Sequence, residues 1–518
     1  MPGCESFKQK AQEIEPLQDH CGFTAIYRQN QTDSLQFLTG YAGLLKLQTR
    51  GYDGSGYYSL SSDGTSMHYQ NHGMINQVFS PEVINTHKDF QSQTTLFQTR
   101  YGTHGNQALE NVQPLIRRSS QNDEFAVVHN GQFSDEPETT QAHDLSDTVL
   151  FANQLAQAPE TNWDKRIVNL LANKNGAWSL AISTNNGLYL ARDSKGYRPL
   201  WFGKKVESDS GETIWIAASE TSALQAMGIS SESYTEVPPG AIYRIDEKGL
   251  TVIQKHNPQD TQAPCIFENI YLQDKGSRQH QPYFENKPVQ TVEEFRQRCG
   301  RLLADRYPVK ANLAIGIPGT GIAGGEAYAN ELGIPYIQAI NDRTPQDDQR
   351  TFMSPDIDEI AKLVQEHFYF YKNSLEGNEI VIIDDSVVRG NITKNLIEVL
   401  TRPVDQGGCG VSKVHVRILC LPVNKPCHFG INTRNSNELM ANQYITPETE
   451  ADLVAVAKMI EEMRQKMNAT SLAFMTKEMI EEAAGHTSFC MGCMVGQHPP
   501  VDRKGMLIRP EEIIYTAK

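Results

Sequence analysis

The chain is 518 residues long, more than one compact hydrophobic core accommodates, so two or more domains are expected. Its 39% hydrophobic and 21% charged content are those of an ordinary soluble globular protein. A formal net charge of -15, with no Lys/Arg run, leaves no basic face for a nucleic acid, although a few local donors still suffice for a small phosphate.

The N-terminal segment MPGCESFKQKAQEIEPLQDH carries several acids and no apolar h-region, so it does not read as a secretory signal. No apolar run reaches the ~18–20 residues of a membrane span. A cytoplasmic protein without a membrane partner is expected, and in that compartment nine cysteines point to metal, cluster or catalytic roles rather than a disulfide framework. From Phe23 to about Tyr243, short apolar segments (FTAIY, EFAVVHN, AWSLAIST, GLYLARD, TIWIAAS, GAIYRI) are separated by Gly, Asn, Asp and Ser turns, which predicts strands. Helical patterns, DTVLFANQLAQ and DKRIVNLLAN, are interposed. The mixture fits layers of sheet covered by helices better than a doubly wound sheet.

A polar stretch, EKGLTVIQKHNPQDTQAP, reads as a linker. Beyond it the strands ANLAIGIP, EIVIIDDS and KVHVRILC alternate with helices around EEFRQRCGRLLA, AGGEAYANEL and TKNLIEVL, which predicts a parallel α/β sheet. After about Asn442 the pattern is mostly helical (TEADLVAVAKMIEEMRQKM, TKEMIEEAA) and ends in a Cys-containing tail. No internal repeat or long low-complexity tract interrupts this order.

Cys21-Gly22 before a strand, LQTRGYDGSG (47–56), QTRYGTHG (98–105), HNG (129–131), LSDT (145–148) and RDSKGYRPL (192–200) occur in an order that resembles N-terminal-nucleophile glutamine amidotransferases. Each motif alone is weak, since HNG is usually a turn and SDT usually a helix cap. Together with APCIFENIYL and IVIIDDSVVRG, the series resembles the glutamine phosphoribosylpyrophosphate (PRPP) amidotransferase family from roughly Cys21 to Pro500. The resemblance implies a four-layer αββα N-terminal-nucleophile glutaminase domain (21–255), a phosphoribosyltransferase-type parallel α/β domain (265–440) and a helical C-terminal extension (441–518). Residues 1–20 would then be a propeptide. Amide hydrolysis needs a nucleophile and a base, and a cysteine made N-terminal supplies both, its α-amino group being the base.

By the same resemblance, Arg100 pairs with the glutamine α-carboxylate and Asp147 binds its ammonium. Asn130 and Gly131 form the oxyanion hole. Arg50 and Asp53 are expected to brace the loop over the pocket, and Arg192, Asp193 and Arg198 to form structural ion pairs. His104 is a tempting base, but its position in the family is not a dedicated one.

The acceptor half has an apolar strand, paired acids, a short loop and a helix start in EIVIIDDSVVRGNITKN. Asp384 and Asp385 would lie at the strand's carboxyl end, where open α/β sheets place ligands, unless they merely cap a helix. The resemblance gives them the ribose hydroxyls and Mg2+, with Ser386, Arg389, Gly390 and Thr393 around the 5-phosphate. Thr320 and Gly321, in AIGIPGTGIAGG (314–325), stand at the pyrophosphate loop, and Arg350 and Thr351 in a lid.

Departures from the family cluster in this half: Gly319 replaces an Asp, Asn391 and Ile392 follow Gly390, and the lid NDRTPQDDQRTF (341–352) is longer and more acidic. QDKGSRQ (273–279) replaces an aromatic-Ala-Arg-Pro-Asp-Ser stretch. Ile392 cannot hydrogen-bond a phosphate, and acids beside a diphosphate repel it.

Cys490 and Cys493 form a C-x-x-C pair, compatible by itself with zinc, redox chemistry or coincidence. Cluster-bearing members of the family carry cysteines at the positions of Cys265, Cys427, Cys490 and Cys493, implying a [4Fe–4S] cluster, with a Cys4 zinc site as the alternative. The reaction so implied takes ammonia from glutamine to PRPP, giving phosphoribosylamine, glutamate and pyrophosphate, in a homodimer or homotetramer. A different phosphorylated or activated acceptor, or a nucleotide-sensing homologue without transfer, are the rival readings.

Overall fold

The computed structural model describes residues 21–29, 35–102, 108–134, 145–258, 261–280, 290–342, 368–427, 429–431, 433, 436–446, 449 and 452–495. The first half is built on two antiparallel sheets. One has the spatial order Thr235–Glu236, Trp201–Val206, Thr213–Ala218, Gly22–Arg28, Thr94–Arg100, Gly54–Leu60, Ser66–His72. The other runs Gly249–Gln254, Ile242–Asp246, Gly187–Arg192, Gly176–Thr184, Glu124–Phe133, Leu115–Arg118.

Strand alternation decides how they pack. Phe23, Ala25 and Tyr27 of the first sheet meet Ala126, Val128 and Ala181 of the second in one apolar layer between the sheets. The alternate residues of the second sheet, Phe125, Val127, Leu180 and Ile182, pack outward under the helices Asp147–Gln157 and Trp163–Leu171. Phe97 of the first sheet packs with Phe37 and Leu44 of helix Gln36–Leu45 on its far side. The result is the expected αββα sandwich. Both helices of the second sheet begin at a side-chain cap, Ser146 accepting from Val149 N and Asn162 from Lys165 N, which fixes where the chain turns.

The second half holds a parallel sheet in the order Leu313–Gly316, Glu379–Asp384, Lys413–Ile418, Ser471–Phe474. Its central strands are buried along nearly their whole length, as in a sheet covered on both faces. Helix Val292–Arg306 opens on a capping box between Thr291 and Glu294 and packs on helix Gly321–Leu332. The predicted helices of segment 441–518 form, as Leu453–Lys466 and Lys477–Ala484. That segment is nevertheless not only helical, because Ser471–Phe474 completes the parallel sheet beside His415–Ile418. Four residues between two helical patterns are too short for their period to reveal a buried strand. No described helix is long and apolar enough to cross a membrane.

The halves meet at the single wide turn Glu268–Leu272. There the buried Glu268 carboxylate accepts from Arg50 Nη2 and, at 3.2 Å, from Arg198 Nη1. Arg50 also donates to Glu220, and Arg198 Nη2 donates to the Phe429 carbonyl at 2.6 Å. Burial opposes the Arg50 charge, but Glu268 and Glu220 more than offset it and leave its pKa raised. Glu268→Ala should therefore destabilise the protein by about 3–5 kcal/mol, because it leaves buried cations short of a counter-charge. Chemical denaturation of the two proteins measures the difference.

Candidate active site

Cys21 immediately precedes strand Gly22–Arg28, and the register of that strand with Thr94–Arg100 (Gly22 opposite Thr99) sets it beside Arg100. Its thiol is half-buried and donates to the Tyr101 carbonyl at 3.9 Å. Burial raises the thiol pKa and the Asp147 carboxylate adds to it, while the Tyr101 contact, Arg100 and Gln98 pull it down. Arg100 is buried at the end of its strand. Asp53 braces the turn that follows: its N–H donates to the Arg100 carbonyl at 3.0 Å, and its carboxylate accepts from Gly102 N at 2.7 Å. Arg50 does not share that task, being turned to Glu220 and Glu268 instead. A conserved-looking spacing in LQTRGYDGSG gives no sign of which acid an arginine will choose.

Asn130 and Gly131 lie on strand Glu124–Phe133. The Asn130 carboxamide is fully buried, and neither its N nor its O has a hydrogen-bond partner among the described residues. Gly131 has φ 132°, and a Cβ there would stand 2.0 Å from the Ala177 carbonyl oxygen, so no other residue fits. Asp147 opens helix Asp147–Gln157, accepting from Phe133 N at 2.8 Å and from Thr148 N at 2.8 Å. It is thereby tied to the strand that carries Asn130.

Between them lies His129, which the sequence reading did not single out. Its N–H donates to Gln113 Oε1 at 2.7 Å, and its ring is 2.9 Å from Thr148 Oγ1 and stacks on Phe133. Burial pushes its pKa down to about 4. His104 lies outside the described residues. Arg192, Asp193 and Arg198 are structural: Arg192 pairs with Glu236 at 2.7 Å, and Asp193 accepts from Lys195 N at 3.0 Å and Tyr197 N at 3.1 Å.

In the acceptor half, Asp384 ends the central parallel strand and Asp385 follows it. Thr320 donates to Asp385, whose other oxygen accepts from Ser386 Oγ at 2.5 Å, so the two loops meet at one carboxylate. Burial, then the neighbouring Asp385, raises the Asp384 pKa well above the usual range; burial also raises Asp385, against Ser386, Thr320 and Arg296. Gly321 starts helix Gly321–Leu332 pressed on the strand, where a Cβ would come within 2.3 Å of the Ile383 carbonyl oxygen. Gly390 caps helix Asn391–Thr401, with Thr393 buried in its first turn and Ile392 half-buried.

Arg389, expected at the phosphate, faces Glu438 at 2.8 Å. Arg350 and Thr351 fall outside the described residues. Segment 273–279 serves the junction: the Gln273 carbonyl accepts from Arg296, Ser277 donates to Glu220, and Arg278 lies over the Tyr234 ring.

Cys265, Cys427, Cys490 and Cys493 line one cavity with Tyr197, Arg198 and Phe429. Backbone pairing gathers them: Cys490 N donates to the Pro264 carbonyl at 2.9 Å, Ile266 N to the Cys490 carbonyl at 3.2 Å, and Asn424 N to the Cys493 carbonyl at 3.0 Å. Burial pushes the Cys265 thiol up to about 12 against the pull of Arg198. Among the described residues, no three His, Cys, Asp or Glu side chains come close enough to hold one metal ion. Cys299, Cys409 and Cys420 are buried free thiols elsewhere, and Cys4 lies outside the described residues.

A sandwich led by Cys21 and joined to a parallel sheet defines a glutamine amidotransferase with a second, acceptor-type domain. A family described as a glutamine amidotransferase domain matches residues 103–226. The amidophosphoribosyltransferase of Rattus norvegicus is 30% identical over 88% of this chain and 92% of that protein. That of Synechococcus elongatus is 29% identical over 96% and 93%, respectively. Among solved structures, the glutamine PRPP amidotransferase from B. subtilis complexed with ADP and GMP superposes with a TM-score of 0.76 at 26% identity, covering 94% of this chain and 99% of that one. The chain belongs to the amidophosphoribosyltransferase family.

Two expectations follow from this geometry. Gly131→Ala should lower glutamine hydrolysis roughly a hundredfold or more, read by glutamate release with circular dichroism as the folding control. His129 titrates near 4 folded and near 6.5 unfolded, so the unfolded chain binds more protons between those values and stability falls as pH drops through that window. Denaturant unfolding at a series of pH values should show the loss, and His129→Asn should flatten it.

Proposed function

We propose that the chain is a glutamine-dependent amidophosphoribosyltransferase. Cys21 attacks the glutamine side-chain amide, ammonia leaves, and water hydrolyses the glutamyl thioester to glutamate. Ammonia then attacks the anomeric carbon of PRPP, pyrophosphate departs, and 5-phosphoribosylamine remains, the entry to purine synthesis. The observation that carries the first half is the buried, unpartnered Asn130 carboxamide next to Gly131 N–H. An orphaned donor of this kind needs a partner, and the oxyanion of a tetrahedral intermediate is one. Arg100 takes the glutamine carboxylate and Asp147 its ammonium. Removal of residues 1–20 would free the Cys21 α-amino group to receive the thiol proton.

In the acceptor half, Asp384 and Asp385 would hold Mg2+ and the ribose hydroxyls. Two adjacent carboxyls with raised pKa values, Asp385 buried and Asp384 half-buried, suit a cation, whose positive charge would let both ionise. Thr320, Gly321, Ser386, Gly390 and Thr393 would surround the phosphates, with Arg350 and Thr351 as further contacts. Cys265, Cys427, Cys490 and Cys493 would hold a [4Fe–4S] cluster. Four sulfurs around one zinc stand only about 3.8 Å apart, as a ~2.3 Å Zn–S bond dictates, and these thiols share a cavity without meeting a single-ion geometry. A tetrairon cluster spreads its ligands over four metals. The working form is read as a cytoplasmic homodimer or homotetramer.

Glutamate release by anaerobically purified protein with Mg2+, with and without PRPP, is the direct test. PRPP should stimulate it, with pyrophosphate appearing in step. Glutaminase activity indifferent to PRPP would point to another acceptor, as the Arg389–Glu438 pair and Ile392 would then suggest. Cys21→Ala should abolish glutamine-dependent turnover and spare turnover with added ammonia, and the intact mass should lack residues 1–20. Metal analysis should find iron; a colourless, zinc-bearing preparation would overturn the cluster.

A further inference from the structure

Strand Thr94–Arg100 alternates, so Leu96, Gln98 and Arg100 share the face turned toward the second sheet. Leu96 belongs there, packed in the layer between the sheets with Phe23 and Val128. Gln98 is a polar residue in that layer, opposite Phe23 on one neighbouring strand and Gly56 on the other. It is fully buried, and neither atom of its carboxamide has a hydrogen-bond partner among the described residues.

Across the layer, Asn130 and Ser179 form a directly opposed pair on strands Glu124–Phe133 and Gly176–Thr184, and the Ser179 hydroxyl is unpartnered too. A buried amide with no partner costs stability and calls for an explanation. Cys21 precedes Gly22, which pairs with Thr99, so the thiol lies diagonally across the strand pair from Gln98, and the Gln98 amide draws its pKa down.

Building on the proposed glutaminase chemistry, we infer that Gln98 is a positioning residue for the nucleophile, its amide N–H directed at the Cys21 sulfur when the thiol ionises. A thiolate is the nucleophilic form of cysteine, and in this site burial works against it. Arg100 also opposes that burial but is assigned to the substrate carboxylate, whereas Gln98 lies fully buried within the sandwich. The division is consistent with their positions: Arg100 at the strand's end, and Gln98 one layer deeper on the same face. When sulfur bonds to the substrate carbon its negative charge disappears and the support from Gln98 is released, so the residue acts on the ionisation of Cys21 rather than on the oxyanion.

The test is the pH dependence of iodoacetamide alkylation of Cys21 in the full chain, followed on its peptide by mass spectrometry. It requires no turnover and no acceptor. Gln98→Met keeps length and apolar fit but removes the donor, and should raise the alkylation midpoint by about one pH unit. Gln98→Glu, nearly isosteric, should raise it further by setting a carboxylate beside the sulfur. At neutral pH, kcat for glutamine hydrolysis should fall in Gln98→Met, recover at higher pH and leave KM unchanged.

Midpoints equal to wild type in folded Gln98→Met and Gln98→Glu proteins would overturn the assignment, whatever their melting temperatures. Failure of the glutaminase reading itself would show separately, as glutamine hydrolysis surviving in Cys21→Ala.

Discussion

Two buried arginines and two buried glutamates hold the halves of this protein together, and Glu268 is the point at which they meet. Its carboxylate accepts from Arg50 of the sandwich on one side and Arg198 on the other. Arg50 packs on the neighbour of the nucleophile, for a Cβ on Gly22 would lie 2.9 Å from Arg50 Cδ. Arg198 lines the cysteine cavity. One charge cluster thus touches the surroundings of Cys21, the turn between the domains and the cavity that ties down the C-terminal segment. Charges so deeply buried tolerate few alternatives: separating the halves would take Glu268 from both arginines and leave Arg50 only Glu220.

The rest of the architecture follows from that anchoring. With the turn Glu268–Leu272 fixed, Arg296 can cap its carbonyls at Asn269 and Ile270, each at 3.0 Å, from the helix that begins the acceptor half. The same guanidinium lies close enough to the acid pair to oppose the rise in Asp385 pKa. Segment 273–279, one of the departures from the family pattern, is spent on this junction, where Ser277 and the Asp274 N–H both satisfy Glu220. Its altered sequence therefore bears on how the domains are joined, while Ile392 and Arg389 bear on the acceptor loop itself.

The two candidate sites use backbone and charge in contrasting ways. In the sandwich, the Gln98, Asn130 and Ser179 side chains projecting from strands are left unpartnered among the described residues. In the parallel half, Asp385 already accepts from Thr320 and Ser386, and Asp384 from the Asp385 N–H. Burial nevertheless raises both pKa values, with Arg296 opposing the rise at Asp385.

Much of this was legible in the residues alone. Turn-punctuated apolar segments pointed to a strand-rich first half, strands alternating with helices pointed to a parallel second half, and the order of short motifs carried the family resemblance that implies roles for Cys21, Arg100, Asn130, Gly131 and Asp147. These signals are local: side-chain period, turn chemistry and spacing act over a few residues. The chain order could not say that Arg50 would turn from Asp53 to Glu268, or that Gln98 would sit unpartnered beneath Cys21. Nor could it say that Ser471–Phe474 would complete a sheet, or that Cys265 would share a cavity with Cys493 on geometric grounds. Each depends on which strands lie side by side and which faces meet across a core. That choice is made by packing the whole chain at once, and a one-dimensional period carries no record of it.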